Sequence, residues 1–187
     1  WPSYSMHVFR RTSLGRLLCK LVIQNMLSST EVTTMPAISS LVQQLANNYP
    51  SLKFVEGESA HWSSVENTVY FCPDEPHSEW VLLHEVAHGL LKHTEYTRDI
   101  ELLRLERAAW QYAKTTLAPV FNIAIDTEFI ETQLDTYRDW LHTKSTCPSC
   151  QSNGFEQRKH EYHCPHCQTD WHTNTGIDVD VRRYQTI

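Results

Sequence analysis

The stretch Glu79-Trp80-Val81-Leu82-Leu83-His84-Glu85-Val86-Ala87-His88-Gly89-Leu90-Leu91 decides how the chain is read. Its apolar residues leave almost no polar face, so a helix here belongs in an interior rather than on a surface. Yet it carries His84, Glu85 and His88. Buried ionisable groups need partners, and a metal ion supplies them. His84 and His88 stand four positions apart, so both imidazoles leave one helix face and can chelate a single ion. Glu85 is then placed to take a proton from water that the ion activates. The alternative is a fortuitous H-E-x-x-H pattern with hydrogen-bonded core histidines.

Catalytic zinc uses three protein ligands and keeps one position open. Glu106 fits the third place. At helical spacing it shares a stripe with Leu102, Leu103, Ala109, Ala113 and Leu117, so it points inward. A carboxylate there costs several kcal/mol unless it is paired or metal-bound. A salt bridge to Arg104, Arg107 or Lys114 is the competing explanation. Asp126 lies on a similar stripe with Ile123, Phe129, Ile130, Leu134 and Tyr137. It can be a rival third ligand, an acceptor for the free N–H of a ligating histidine, or a local cap. His93, five residues past His88, falls on the wrong face of a continuing helix and reads as a helix-end residue. Tyr70, Tyr96 and Tyr112 are candidate oxyanion donors, though core packing explains each as well.

Four of the six cysteines form two pairs, Cys147-Pro-Ser-Cys150 and Cys164-Pro-His-Cys167. Each C-P-x-C turn aims two thiolates at one centre, and two turns complete a tetrahedral sulfur site. The pattern predicts a structural zinc ribbon. His160, His163, His166 and His172 are alternative ligands, and Cys19 and Cys72 are left over as structural cysteines. Disulfides are the competing reading, but no clean apolar export segment is present, and a cytoplasmic location follows.

Working outward, Ala37–Asn48 reads as a helix, and Leu52–Val55, Ala60–Ser63 and Thr68–Cys72 as a short sheet. Residues 79–142 read as three helices, broken near Thr94–Thr97 and near Ala118-Pro119. The fold class is therefore α+β: a small sheet, antiparallel or mixed, on a mainly helical core over 35–143, then a ribbon over 144–187. The 187 residues are 41% hydrophobic and 20% charged with a net charge of −6, which excludes a disordered chain and a protein-wide basic footprint. Residues 1–34 hold four basic residues and one acidic, +3, against 12 basic and 21 acidic in the remainder, −9. That contrast marks 1–34 as a basic, dispensable leader. No apolar run approaches the roughly 20 residues that cross a bilayer, so no membrane partner is expected.

Two motifs in order, His84-Glu85-Val-Ala-His88-Gly-Leu-Leu and Glu106-Arg-Ala-Ala109-Trp-Gln-Tyr112-Ala113-x-x-x-Leu117-Ala-Pro119, resemble the ImmA/IrrE-type zinc metallopeptidases. The likeness spans roughly Leu52–Pro119 and is fairly specific, because both motifs agree in order and spacing. It implies a zincin-like core with His84, His88 and Glu106 as zinc ligands and Glu85 as general base. The strand Asn67-Thr-Val-Tyr-Phe71 looks like that family's substrate-side strand, so an extended peptide is expected to pair near Thr68–Cys72. Family members often cleave or inactivate a helix-turn-helix repressor, which makes a regulatory protein the expected substrate. This chain departs from them in lacking a helix-turn-helix of its own and in carrying the ribbon. SprT-like proteases also join an H-E-x-x-H domain to a zinc ribbon but use a third histidine downstream, here His142. The expected cofactors are two zinc ions, one catalytic and one structural. A second function class is an adaptor whose ribbon binds nucleic acid or protein, using Arg158, Lys159, Arg182 and Arg183 with Tyr162 and Trp171. A third is a metal sensor without turnover.

Overall fold

The structure, a computed structural model, describes residues 38–176 and 179–186. The expected leader, Cys19 and the first residue of the expected opening helix lie outside the described residues. Helix α1 (Ile38–Asn48) buries Leu41 and Leu45. Three short strands follow: β1 (Lys53–Glu56), β2 (His61–Ser63) and β3 (Thr68–Phe71). Asn67, with φ of 52°, makes the turn that brings β3 back against β2. Strand β1 pairs in parallel with β3 and β2 pairs antiparallel to it, so the order is β1-β3-β2. This corrects one expectation. The stretch Thr68–Phe71 is the central strand with both edges used, and β1 and β2 are the outer strands.

Helix α2 (Ser78–Leu90) is buried from Leu82 through Gly89, as its apolar surface requires. An added Cβ on Gly89 would stand 3.1 Å from both Leu52 and Trp62, so the sheet lies close against this helix. Helix α3 (Asp99–Tyr112) continues through a π-helical stretch, Ala113–Leu117, and one turn, Ala118–Val120. The chain leaves the helix at Phe121, so the expected break near Ala118-Pro119 is present, and the turn before it is widened. Proline has no N–H to give the carbonyl four residues back and collides with it, and a wider turn relieves both. Helix α4 runs from Thr127 to Ser145, past the expected boundary at 143. One core unites α1, the first sheet, α2, α3 and the start of α4, through residues such as Leu45, Val69, Val86, Trp110 and Ile130.

Strands β4 (Phe155–Arg158), β5 (Glu161–His163), β6 (Asp170–Thr173) and β7 (Arg183–Gln185) form an antiparallel sheet in that order. Tyr162 and Trp171 stack at 5.6 Å inside it, against Cys147 and Cys164. This sheet is bound to the helical core by buried polar contacts. Trp171 Nε1 donates to the Lys144 carbonyl at 2.9 Å, and Gly154 N donates to that of Ser145 at 2.7 Å. The Lys144 ammonium, fully buried, lies 2.5 Å from Asp99 Oδ2 and 2.9 Å from His160 Nδ1. Tyr162 donates its hydroxyl to the same Asp99 oxygen at 2.7 Å, and Asp99 N donates to Glu156 Oε2 at 2.6 Å. Burial opposes the charge on Asp99, but His160, Lys144 and Tyr162 outweigh it and hold the carboxyl below its usual range.

Two predictions follow from this junction. Replacing Lys144 by Met leaves Asp99 buried without its countercharge and should cost about 3–5 kcal/mol in urea unfolding. A loss under about 1 kcal/mol would mean that Asp99 does not depend on the ammonium. The change Gly154→Ala drives a Cβ into the Trp171 ring and to 2.6 Å from the His163 carbonyl. About 1–3 kcal/mol of stability should be lost to overpacking, visible as a lower melting temperature. An unchanged melting temperature would show that the turn before β4 has room to spare.

Candidate metal centre

Helices α2 and α3 are apolar where they meet, and small residues such as Ala109 and Ala113 let their backbones approach. Into this contact α2 sends His84 and His88 and α3 sends Glu106, all 3% exposed or less. The His84 ring stacks on Trp110 with centroids 4.1 Å apart. His84 Nε2 stands 3.1 Å from His88 Nε2 and 3.1 Å from Glu106 Oε2, and His88 Nε2 is 3.7 Å from Glu106 Oε1. Ligand bonds of about 2.0–2.2 Å around a tetrahedral zinc put neighbouring donors about 3.3 Å apart, so the donor set fits such an ion. None of Arg104, Arg107 and Lys114 forms an ion pair with Glu106 among the described residues, and the histidines take its carboxylate instead.

Burial and the mutual charges of these groups set their protonation. Burial drives the His84 imidazole down to about 4, with the charge of His88 adding to the effect. Burial works against the charge on His88 too, but Glu106 and Glu85 raise it. Glu106 is also penalised by burial, yet the charges and hydrogen bonds of the two histidines hold it well below the usual carboxylate range. Glu85 is fully buried, 3.9 Å from His84 Nε2, and burial pushes its carboxyl up to about 8. Neither oxygen has a hydrogen-bond partner of good geometry, and the Trp62 backbone is the polar group facing it.

The structure adds a residue that helical periodicity misplaces. His93 Nδ1 lies 3.1 Å from His88 Nδ1, on the side of the ring away from the donor cluster. Helix α2 ends in a Schellman turn: Lys92 N donates to the Gly89 carbonyl at 3.2 Å and His93 N to that of His88 at 3.0 Å. Lys92 adopts φ of 55°, which folds the chain back over the helix it has just left. Trp62 Nε1 then donates to the His93 carbonyl at 3.0 Å. Lysine at the left-handed position hides this reversal from a sequence reading, because glycine is the usual signal there.

Asp126 is elsewhere. It is exposed and caps α4, its Oδ1 accepting from Glu128 N at 3.0 Å, so it neither ligates nor supports a histidine. Its apparent place on the apolar stripe assumed a helix already running at Ile123, whereas the helix begins at Thr127. His142 is exposed in the last turn of α4 and joins no ligand cluster. Tyr70 donates to Glu66 at 2.8 Å on an exposed surface, and Tyr96 carries the Lys159 ammonium over its ring. Tyr112 packs against the core.

The second candidate centre comprises Cys147, Cys150, Cys164 and Cys167, whose sulfurs all lie within 4.8 Å of one another. Cys147 and Cys167 are 3.6 Å apart and Cys150 and Cys164 3.5 Å, near the roughly 3.8 Å expected between thiolates on one zinc. The two turns repeat each other. In each, the first cysteine's carbonyl accepts from the glutamine after the second cysteine, at 3.0 Å for Gln151 and 2.9 Å for Gln168. Both glutamines are left-handed, with φ of 62° and 61°. Hydrogen bonds from the Thr169 hydroxyl and backbone pull the Cys167 thiol down to about 6, which favours the thiolate a metal needs. Among the described residues every cysteine is free of disulfides.

The ribbon histidines serve other ends: His160 joins the Asp99 cluster, His163 pairs with Asp170 at 2.8 Å and His172 stacks on Tyr184. Asp99, Glu156 and His160 lie close enough to hold an ion, but the Lys144 ammonium already sits there. The basic-aromatic set is not assembled as a stacking surface. Tyr162 and Trp171 are buried, Lys159 donates to the Tyr96 carbonyl and Arg183 to that of Thr146. No helix among the described residues is long and apolar enough to cross a membrane. No protein-family description matches this chain, and neither does any curated protein or solved structure.

Proposed function

We propose that the chain is a zinc-dependent metalloendopeptidase with a zincin-like core and a structural zinc ribbon. The observation that carries this reading is the buried convergence of His84 Nε2, His88 Nε2 and Glu106 Oε2 beside the free carboxyl of Glu85. His84, His88 and Glu106 would hold the catalytic ion, and Cys147, Cys150, Cys164 and Cys167 the structural one. Bound there, zinc supplies Lewis acidity towards water and a peptide carbonyl. The charge of a bound ion would favour the ionised form of Glu85, which would then take the proton of the attacking water and return it to the leaving amine. The outer strand β2 would be where an extended substrate pairs, beside the Trp62 backbone that faces Glu85. The likeness to ImmA/IrrE-type peptidases points to a regulatory protein, such as a helix-turn-helix repressor, as substrate. A pure metal sensor would have no use for a buried carboxyl at position 85, which favours turnover.

Metal content comes first among the tests. Native mass spectrometry of the full chain should find two zinc ions, falling to one in Glu106→Ala. A single zinc that survives this substitution would leave only the cysteine site metallated and remove the basis for a peptidase. Activity is the other test, read on a peptide library of mixed sequence. Glu85→Gln should retain both ions while cleavage falls by about 10²–10⁴-fold. Equal cleavage by wild type and variant would rule out Glu85 as the base, and no cleavage by the wild type would favour the sensor.

A further inference from the structure

The two histidines of the candidate centre are supported in different ways. His84 is held flat against Trp110, and its Nδ1 has no hydrogen-bond partner. His88 is not so stacked. Its Nδ1 meets His93 Nδ1 at 3.1 Å, with the two rings edge to face at 81°. His93 is itself fixed at three points: its N–H to the His88 carbonyl, its carbonyl to Trp62 Nε1, and its ring to His88. It is 9% exposed, so water is a poor competitor for that ring contact.

From this geometry, and resting on the metal reading above, we infer that His93 is a positioning residue for the metal centre. It accepts the Nδ1–H of His88 and so fixes that ligand as an Nε2 donor. A ligating imidazole must present one bare nitrogen and keep its proton on the other, and the partner of the second nitrogen settles which is which. Here His88 Nε2 faces Glu106 and His84, so the proton belongs on Nδ1. A neutral His93 takes it on Nδ1 and carries its own proton on Nε2. The same residue joins the centre to the sheet, since Trp62 of the edge strand β2 holds its carbonyl. The seat expected for substrate and one metal ligand are thereby fastened to a single turn.

The test compares His93→Asn with His93→Leu in the full chain. The two side chains are nearly the same shape, but asparagine places an acceptor oxygen close to where Nδ1 stood. Zinc affinity is measured by chelator competition with native mass spectrometry, the cysteine-bound ion serving as an internal control. Leucine should weaken the histidine site by about 10–100-fold, and asparagine should recover most of that loss. If leucine prevents folding, His93→Ala takes its place against asparagine. Equal weakening in both variants would reduce His93 to packing, and wild-type affinity in the leucine variant would overturn the inference outright. A control with His88→Ala separates the two levels of claim. If wild type holds no ion that depends on His88, the metal reading itself fails; if it does and His93 is silent, only the positioning role is lost.

Discussion

Everything in the helical core answers to one constraint: four ionisable side chains are buried between two apolar helices. His84, Glu85, His88 and Glu106 are each at most 3% exposed. Each charge taken out of water into such surroundings costs several kcal/mol unless its neighbours or an ion compensate it. The imidazoles and Glu106 compensate one another in part, through contacts at 3.1 Å. Glu85 is left with no such arrangement, and its carboxyl is pushed up to about 8 by burial. Groups this costly to bury are the ones that reactive centres employ. The fold around them keeps them buried: the first sheet presses on Gly89, and Trp110 closes one side of His84.

Periodicity made the inward convergence of His84, His88 and Glu106 legible, because a regular helix turns spacing into direction. His84 and His88 at four residues apart, and Glu106 in step with Leu102, Ala109 and Ala113, had to face inward if those segments were helical. The cysteine pairs were legible for a related reason: a C-P-x-C turn determines its own geometry. The boundaries of β1, β2 and β3 came within a residue or two, but their order did not. Nothing in three short apolar runs says which strand lies in the middle, and the parallel pairing of β1 with β3 is a long-range choice. Asp126 was misplaced because the helix was read as already running at Ile123 and starts only at Thr127, where a capping carboxylate and an inward-facing one look alike.

His93 was lost for a different reason. A residue five past His88 points away only while the helix continues, and α2 reverses at Lys92. Left-handed lysine gives no glycine signal, so the turn has to be seen in the backbone to be known. The contacts of Asp99, Lys144 and His160 were equally hidden, since they join residues up to 61 positions apart in regions that read as separate domains.

Those last contacts change what the C-terminal sheet does. Asp99 opens α3, and Glu106 lies seven residues along the same helix, about 10 Å at the usual rise. Lys144 precedes Cys147 by three residues and Tyr162 precedes Cys164 by two, and both grip Asp99. Glu156 adds an anion at the positive end of α3, accepting from its first free N–H. The cysteine unit therefore anchors the helix that delivers Glu106. A rotation of α3 by one residue, about 100°, would swing that carboxylate off His84 and His88 altogether. Fixing the start of α3 from outside the core guards against that slip more firmly than apolar packing alone, because leucine and alanine side chains tolerate rearrangement where a buried ion pair does not. The two candidate centres are thus mechanically one: the sulfur site holds the frame within which the histidine site keeps its shape.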